Sequence, residues 1–132
     1  MHAFREAVEA GDFEAVEALL AEDVVFTSPV VFKPYPGKAI TAAILRGVVR
    51  VFEDFRYVRE INDPGGRDHA LVFTARVGGR EITGCDFLRV NEDGLIDDFM
   101  VMVRPLSGAQ ALAEAMGAQF EQIAKEAEAR SA

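Results

Sequence analysis

The chain has 132 residues, half of them apolar and 27% charged, with a formal net charge of −8. One domain's worth of chain can bury a core without cross-links, and the acidic excess argues against nucleic acid and anionic membranes as partners. The lone Cys85 excludes an internal disulfide or a cysteine zinc site; no apolar run approaches membrane-spanning length and the charged start lacks a signal-peptide pattern, so a cytoplasmic protein is expected.

Phe4 to Ala10 reads as a short helix, broken at Gly11-Asp12. Asp12 suits the N-cap of a second helix, Phe13 to Leu20, with an apolar stripe of Val16, Leu19 and Leu20. A first strand is predicted at 23–27, stopped by Pro29, and the proline-rich stretch 32–37 reads as a stiff loop. A third helix follows over 39–53, with Arg46 and Arg50 on a solvated face, within helical reach of Glu53 and Asp54. Beyond it the period changes to two. Strands are predicted over 55–61, 69–77, 80–90 and 95–104, separated by Asn62–Gly66, Gly78-Gly79 and Asn91–Gly94 turns. A closing helix over about 107–130 carries Leu112, Met116, Phe120, Ile123 and Ala127 on one stripe. Helices, then antiparallel strands, then one helix make an α+β fold with helices on one face of a curved sheet.

A two-residue turn at Gly78-Gly79 sets a register. Arg76 then faces Glu81 and Asp68 faces Arg89, two opposite-charge pairs on one face. The other face carries His69, Leu71, Phe73, Ala75, Ile82, Gly84 and Leu88, with Asp86 its only acid. A carboxylate among apolar groups is costly unless hydrogen-bonded, protonated or beside water in a cavity. Asp86 therefore either ties down a neighbouring polar group or acts as an acid–base. His69, diagonal to it, is the candidate orienting partner. Gly84 leaves room for a ligand to approach. Tyr35, on the proline-rich loop, is a candidate hydrogen-bond donor over a pocket mouth. Cys85 faces away from Asp86 and has nothing nearby to activate it. No phosphate loop, nucleophile elbow or metal-ligand spacing occurs.

Ala10-Gly11-Asp12-Phe13, then Leu19 to Phe26, then Gly37, and finally Asp86 to Ile96 resemble, in order and spacing, the SnoaL-like members of the nuclear transport factor two-like superfamily. The resemblance covers residues 4–104. It implies a cone, a strongly curved antiparallel sheet around N-terminal helices, with a pocket inside and a homodimeric assembly. It also implies chemistry without metal or organic cofactor. Asp86 matches the acid that, protonated, hydrogen-bonds a developing enolate in ketosteroid isomerase. That family's tyrosine donor falls at Phe4 and its catalytic base at Ser28, so steroid isomerisation lacks two of its three groups. SnoaL-type cyclases resemble a design with an inward Asp assisted by a His. The residues of limonene epoxide hydrolase find no match.

The expected protein is a small domain, 1–132, that binds a hydrophobic ring compound. It is an isomerase or cyclase working by proton transfer, with Asp86 and His69 as the catalytic pair. The expected pocket wall includes Phe4, Phe26, Phe52, Phe73 and Phe99. Ser28, Tyr35, Leu88 and Val101 complete it. The alternative is a non-catalytic ligand-binding or protein-interaction module of the same fold. On the last strand, Phe99, Val101 and Val103 occupy one face and Met100 and Met102 the other. One face is expected to line the pocket and the other to meet a second subunit.

Overall fold

A computed structural model describes residues 1–131. It opens on two short helices, α1 (His2–Glu9) and α2 (Phe13–Ala18), hinged at Gly11, whose φ of 70° few other residues adopt. Asp12 caps α2, its carboxylate accepting from the Ala15 N–H at 3.1 Å. The strands and helices that follow are β1 (Leu20–Thr27), β2 (Tyr35–Pro36), α3 (Lys38–Val51), β3 (Glu53–Asn62), β4 (Asp68–Val77), β5 (Arg80–Val90), β6 (Ile96–Arg104) and α4 (Leu106–Ser131). One curved, unclosed sheet runs in the order β2-β1-β6-β5-β4-β3. Helix α3 lies inside its curve and α4 packs on α3, so the core sits between the sheet and the helices.

The hairpin register inferred from Gly78-Gly79 coincides with the observed one. Val77 pairs Arg80, Arg76 pairs Glu81, Leu71 pairs Asp86 and Asp68 pairs Arg89. Both turn glycines have positive φ, 55° and 79°, as a primed two-residue hairpin turn requires. The inner residues Leu71, Phe73, Ala75, Ile82 and Leu88 are all buried. The next turn is built by Asn91, whose side-chain oxygen accepts from the N–H groups of Asp93 and Leu95. One extra residue follows it, because Arg89 pairs Asp98 while Val90 pairs Ile96. This bulge leaves Phe99 and Val101 facing inward and Met102 facing out, 54% exposed.

Several local expectations are corrected. The sheet is mixed, since β1, second from the β2 edge, lies parallel to β6. Hairpin chemistry carries no information about that long-range pairing. Helix α2 stops at Ala18, and Leu20 and Ala21 are buried strand residues. Within the proline-rich stretch, Tyr35 and Pro36 pair with Phe26 and Val25 as a short edge strand. Arg46 and Arg50 reach across the helix layer to Glu17 (3.0 Å) and Glu126 (2.9 Å) instead of pairing with Glu53 or Asp54. Arg89 pairs with Asp97 at 3.0 Å, across the bulge, in place of Asp68. The space over Gly84 is filled from within the chain. A Cβ there would run into the Phe73 ring and lie 2.9 Å from the Met102 carbonyl oxygen.

Candidate functional site

Inside the curve of the sheet is a partly open cavity of about 360 Å³. Its floor is the inner face of β5 and β6 and its walls are α1, α3 and the first half of α4. Two aromatic clusters flank the floor. Phe52, Phe55, Tyr57 and Phe73 form one, with Phe55 and Phe73 centroids 4.9 Å apart and Tyr57 edge-on to Phe55 at 5.0 Å. Phe4 and Phe26 form the other, packing on Phe99 at 5.6 and 5.4 Å. Such contacts add about 0.5–1.5 kcal/mol each beyond area burial. They hold the wall side chains in fixed positions.

Asp86 lies between these clusters, 6% exposed, at the cavity surface. Its Oδ2 accepts a hydrogen bond of 2.6 Å from the Tyr57 hydroxyl, which reaches diagonally over β4 from β3. Its Oδ1 has no hydrogen-bond partner among the described residues. Burial raises the Asp86 carboxyl to about 7, and the Tyr57 hydrogen bond partly offsets that rise. Burial likewise pushes the Tyr57 phenol up, reinforced by the Asp86 charge and their shared hydrogen bond, so the phenol stays protonated as a donor. Around neutral pH the site therefore holds both forms of one carboxyl group, anchored on one oxygen and free on the other.

The remaining polar side chains of the lining are Ser28 and Glu9. The Ser28 hydroxyl oxygen accepts from the Val30 N–H at 3.1 Å. Glu9 sits at the rim, paired with Arg5 at 3.3 Å and exposed. Arg5 in turn lies 5.8 Å from the Tyr57 ring centroid and bonds the Tyr57 carbonyl and Glu60.

Of the residues singled out from sequence, Asp86, Phe4, Phe26, Ser28, Phe52, Phe73, Phe99 and Val101 come together on this cavity. Leu88 is core beneath the floor, and Tyr35 packs against the core from the edge strand; neither is in the lining. His69 is not brought to Asp86. Its Nδ1 pairs with Asn62 Oδ1 at 2.6 Å and its Nε2 with the Gly66 carbonyl at 3.1 Å, at the turn end of the sheet. The strand positions are near neighbours, but the ring is taken by the β3–β4 turn. Tyr57 holds the position proposed for His69, and supplies a hydroxyl where position 4 offers only Phe4. The alternation of Phe55 and Tyr57 with Arg56 and Val58 was the available signal for it. Leu112 and Met116 were legible as an apolar stripe, though not as cavity wall.

Among the described residues, no three His, Cys, Asp or Glu side chains are grouped to hold a metal ion. No helix among them is long and apolar enough to cross a membrane.

The SnoaL-like domain pattern matches residues 1–99. No curated protein matches the chain. Among solved structures, the chain is similar to a steroid delta-isomerase from Pseudomonas aeruginosa. The identity is 44% over 90% of this chain and 87% of that one, with a TM-score of 0.85. It is also similar to a bacterial protein with a cystatin-like fold from Silicibacter pomeroyi DSS-3, at 40% identity over 99% and 92% of the two chains and a TM-score of 0.88. A candidate polyketide cyclase from Pseudomonas putida KT2440 shares the fold at 23% identity, 81% and 90% coverage and a TM-score of 0.67.

Proposed function

This chain belongs to the SnoaL-like domain family, and from that premise we propose that it is a cofactor-independent isomerase or cyclase acting by proton transfer on a hydrophobic ring compound. The observation that carries the reading is Asp86, poised near neutrality at the floor of an aromatic cavity with Tyr57 on one oxygen. A general acid–base works best when its pKa is near the working pH. Ionised Oδ1 takes a proton from the carbon beside a ligand carbonyl: the C–H bond breaks, an O–H bond forms on Asp86, and the electron pair moves into the enolate. The same group returns the proton, to a different carbon in an isomerisation or after ring closure in a cyclisation. Tyr57 keeps Oδ2 occupied and the carboxyl plane fixed throughout. The volume lies in the usual range for small-molecule pockets, about 300–1,000 Å³. The similarity to a protein named steroid delta-isomerase supports a ring-ketone substrate.

The test is proton exchange. A panel of cyclic and polycyclic ketones incubated with the protein in deuterium oxide should gain deuterium beside the carbonyl for at least one member, read by mass spectrometry. Background exchange for all of them, together with a co-purified ligand that leaves unchanged, would favour a binding module instead.

We further propose a homodimer through the outer sheet face. Ile61, Phe87 and Met100 stand in one cross-strand row, with Met102 in the next. Ile61 and Met102 are about half exposed. Exposed apolar patches of this kind mark interaction sites. Sedimentation at micromolar concentration should give twice the chain mass, and Met102→Glu should return the monomer.

A further inference from the structure

Phe32 is 100% exposed, the most exposed of the large apolar side chains among the described residues, and its neighbour Val31 is 41% exposed. A phenyl ring left in water forgoes most of the burial free energy open to a side chain. Its place in the chain is beside the cavity: Ser28, Pro29 and Val30, just before it, belong to the lining. The exposed members of that lining, Glu9, Ala10 and Gly11 at the α1–α2 hinge and Val49 on α3, mark the mouth. Val49 is 46% exposed, so the rim itself offers apolar surface.

The loop that carries Phe32 is fixed at its ends and loose at its tip. Tyr35 pairs Phe26, and the Gly37 N–H donates to the Val24 carbonyl at 2.7 Å. Pro29 and Pro34 restrict the backbone on either side. The Val30 N–H is held by the Ser28 hydroxyl oxygen at 3.1 Å. Between these points, Val31, Phe32 and Lys33 make no hydrogen bond among the described residues. Turning this tip over therefore breaks none of the bonds that hold the loop. Two residues of chain span at most ~7 Å, and the ring adds its own length, so Phe32 can swing back over the space that Val30 borders.

We infer that Phe32 is a cap residue that folds over the mouth onto a bound apolar ligand and selects ligands long enough to reach it. This rests on the cavity being the ligand site. An apolar ligand presents to the ring a surface that the rim alone lacks, and that difference between open and closed arrangements couples closure to binding. Closure also removes water from the path to Asp86, where a proton is to be moved.

The chain contains no tryptophan, so Phe32→Trp places a single indole at the tip of the loop. The probe is 5α-androstan-3-one, a rigid four-ring ketone that does not absorb where indole emits. In the free protein the indole should emit as a solvated ring and be quenched freely by acrylamide. Saturation with the ketone should move the emission to the blue and reduce the quenching. Phe32→Ala should weaken ketone binding, read by equilibrium dialysis, by about 10-fold, the lower end for burying one phenyl side chain. The loss should fall mainly on the dissociation rate. Phe32→Leu, which keeps an apolar side chain, should recover most of it. All three variants should unfold at the parent's urea midpoint, because a fully exposed side chain adds little to the fold. An indole that stays as quenchable with ketone bound as without it, or a Phe32→Ala affinity equal to the parent's, overturns the cap and leaves the cavity as the ligand site. An indole already shielded before ketone is added, and released on dilution, assigns Phe32 to a contact between copies of the chain and overturns the cap as well. No binding of the ketone by the parent protein overturns the cavity reading itself, and the cap with it.

Discussion

Asp86→Asn is expected to lower proton-transfer turnover by about 10²–10⁴, the usual contribution of a positioned acid–base. The amide fills the same space and still accepts the Tyr57 hydroxyl, so the fold should persist. The same substitution should flatten the pH dependence of stability. Burial raises this carboxyl to about 7 in the folded chain, against roughly 3.9 for an unfolded Asp. Between those values the folded chain keeps a proton that the unfolded chain has released. The stabilisation is therefore fully present below about pH 4 and is lost as pH rises through 7. At 1.4 kcal/mol per unit the whole interval is worth up to about 4 kcal/mol. Urea unfolding at pH 5 and pH 8 checks it: the parent protein should lose stability between the two relative to Asp86→Asn. Parallel pH profiles for the two proteins would mean that Asp86 is not held protonated by burial.

Tyr57→Phe separates the anchoring hydroxyl from the reacting carboxyl. The phenol donates to Asp86 Oδ2 at 2.6 Å and favours the ionised form, opposing the larger effect of burial. Without it the Asp86 carboxyl should titrate above 7. Turnover that needs the ionised base should fall at neutral pH and recover on the alkaline side. The loss of stability should be larger at high pH, about 1.5–3 kcal/mol for a hydrogen bond to a charged group, than at low pH, about 1 kcal/mol for a neutral one. Carbon-detected NMR titration of the Asp86 carboxyl reads the shift directly. A midpoint that stays put or moves down would remove Tyr57 from the site's electrostatics, whatever its effect on packing. The aromatic ring remains in Phe, so contacts with Phe55 and Phe73 are kept.

The two substitutions act on different properties of one group, its chemistry and its pKa. That distinction separates an acid–base from a merely structural carboxylate. A structural Asp86 would lose stability on conversion to Asn with no accompanying change in any turnover or probe affinity.

Much of the floor of the site was legible in the chain because its information is local. Gly78-Gly79 admits a primed turn, the turn sets the β4–β5 register, and the register places Asp86 on the apolar face opposite Leu71. Alternation then does the rest, since a one-residue slip would turn every side chain over. The inward set of β6 was not local in this sense. The bulge at Asp97 decides it, and only the pairing of Arg89 with Asp98 and Val90 with Ile96 reveals that bulge. Three features belong to the tertiary structure alone. The parallel β1–β6 pairing, which sets Phe26 against Phe99, joins segments some seventy residues apart with no turn to relate them. Tyr57 meets Asp86 because Val58 is an extra residue in the β3–β4 ladder, where Tyr57 pairs Phe73 and Arg59 pairs Val72. And α4, whose stripe predicted only a buried face, supplies Leu112 and Met116 to the cavity because Gly47 lets it settle closely on α3. Local patterning determines which face a side chain takes; which other faces it meets depends on long-range packing that no short window of sequence encodes.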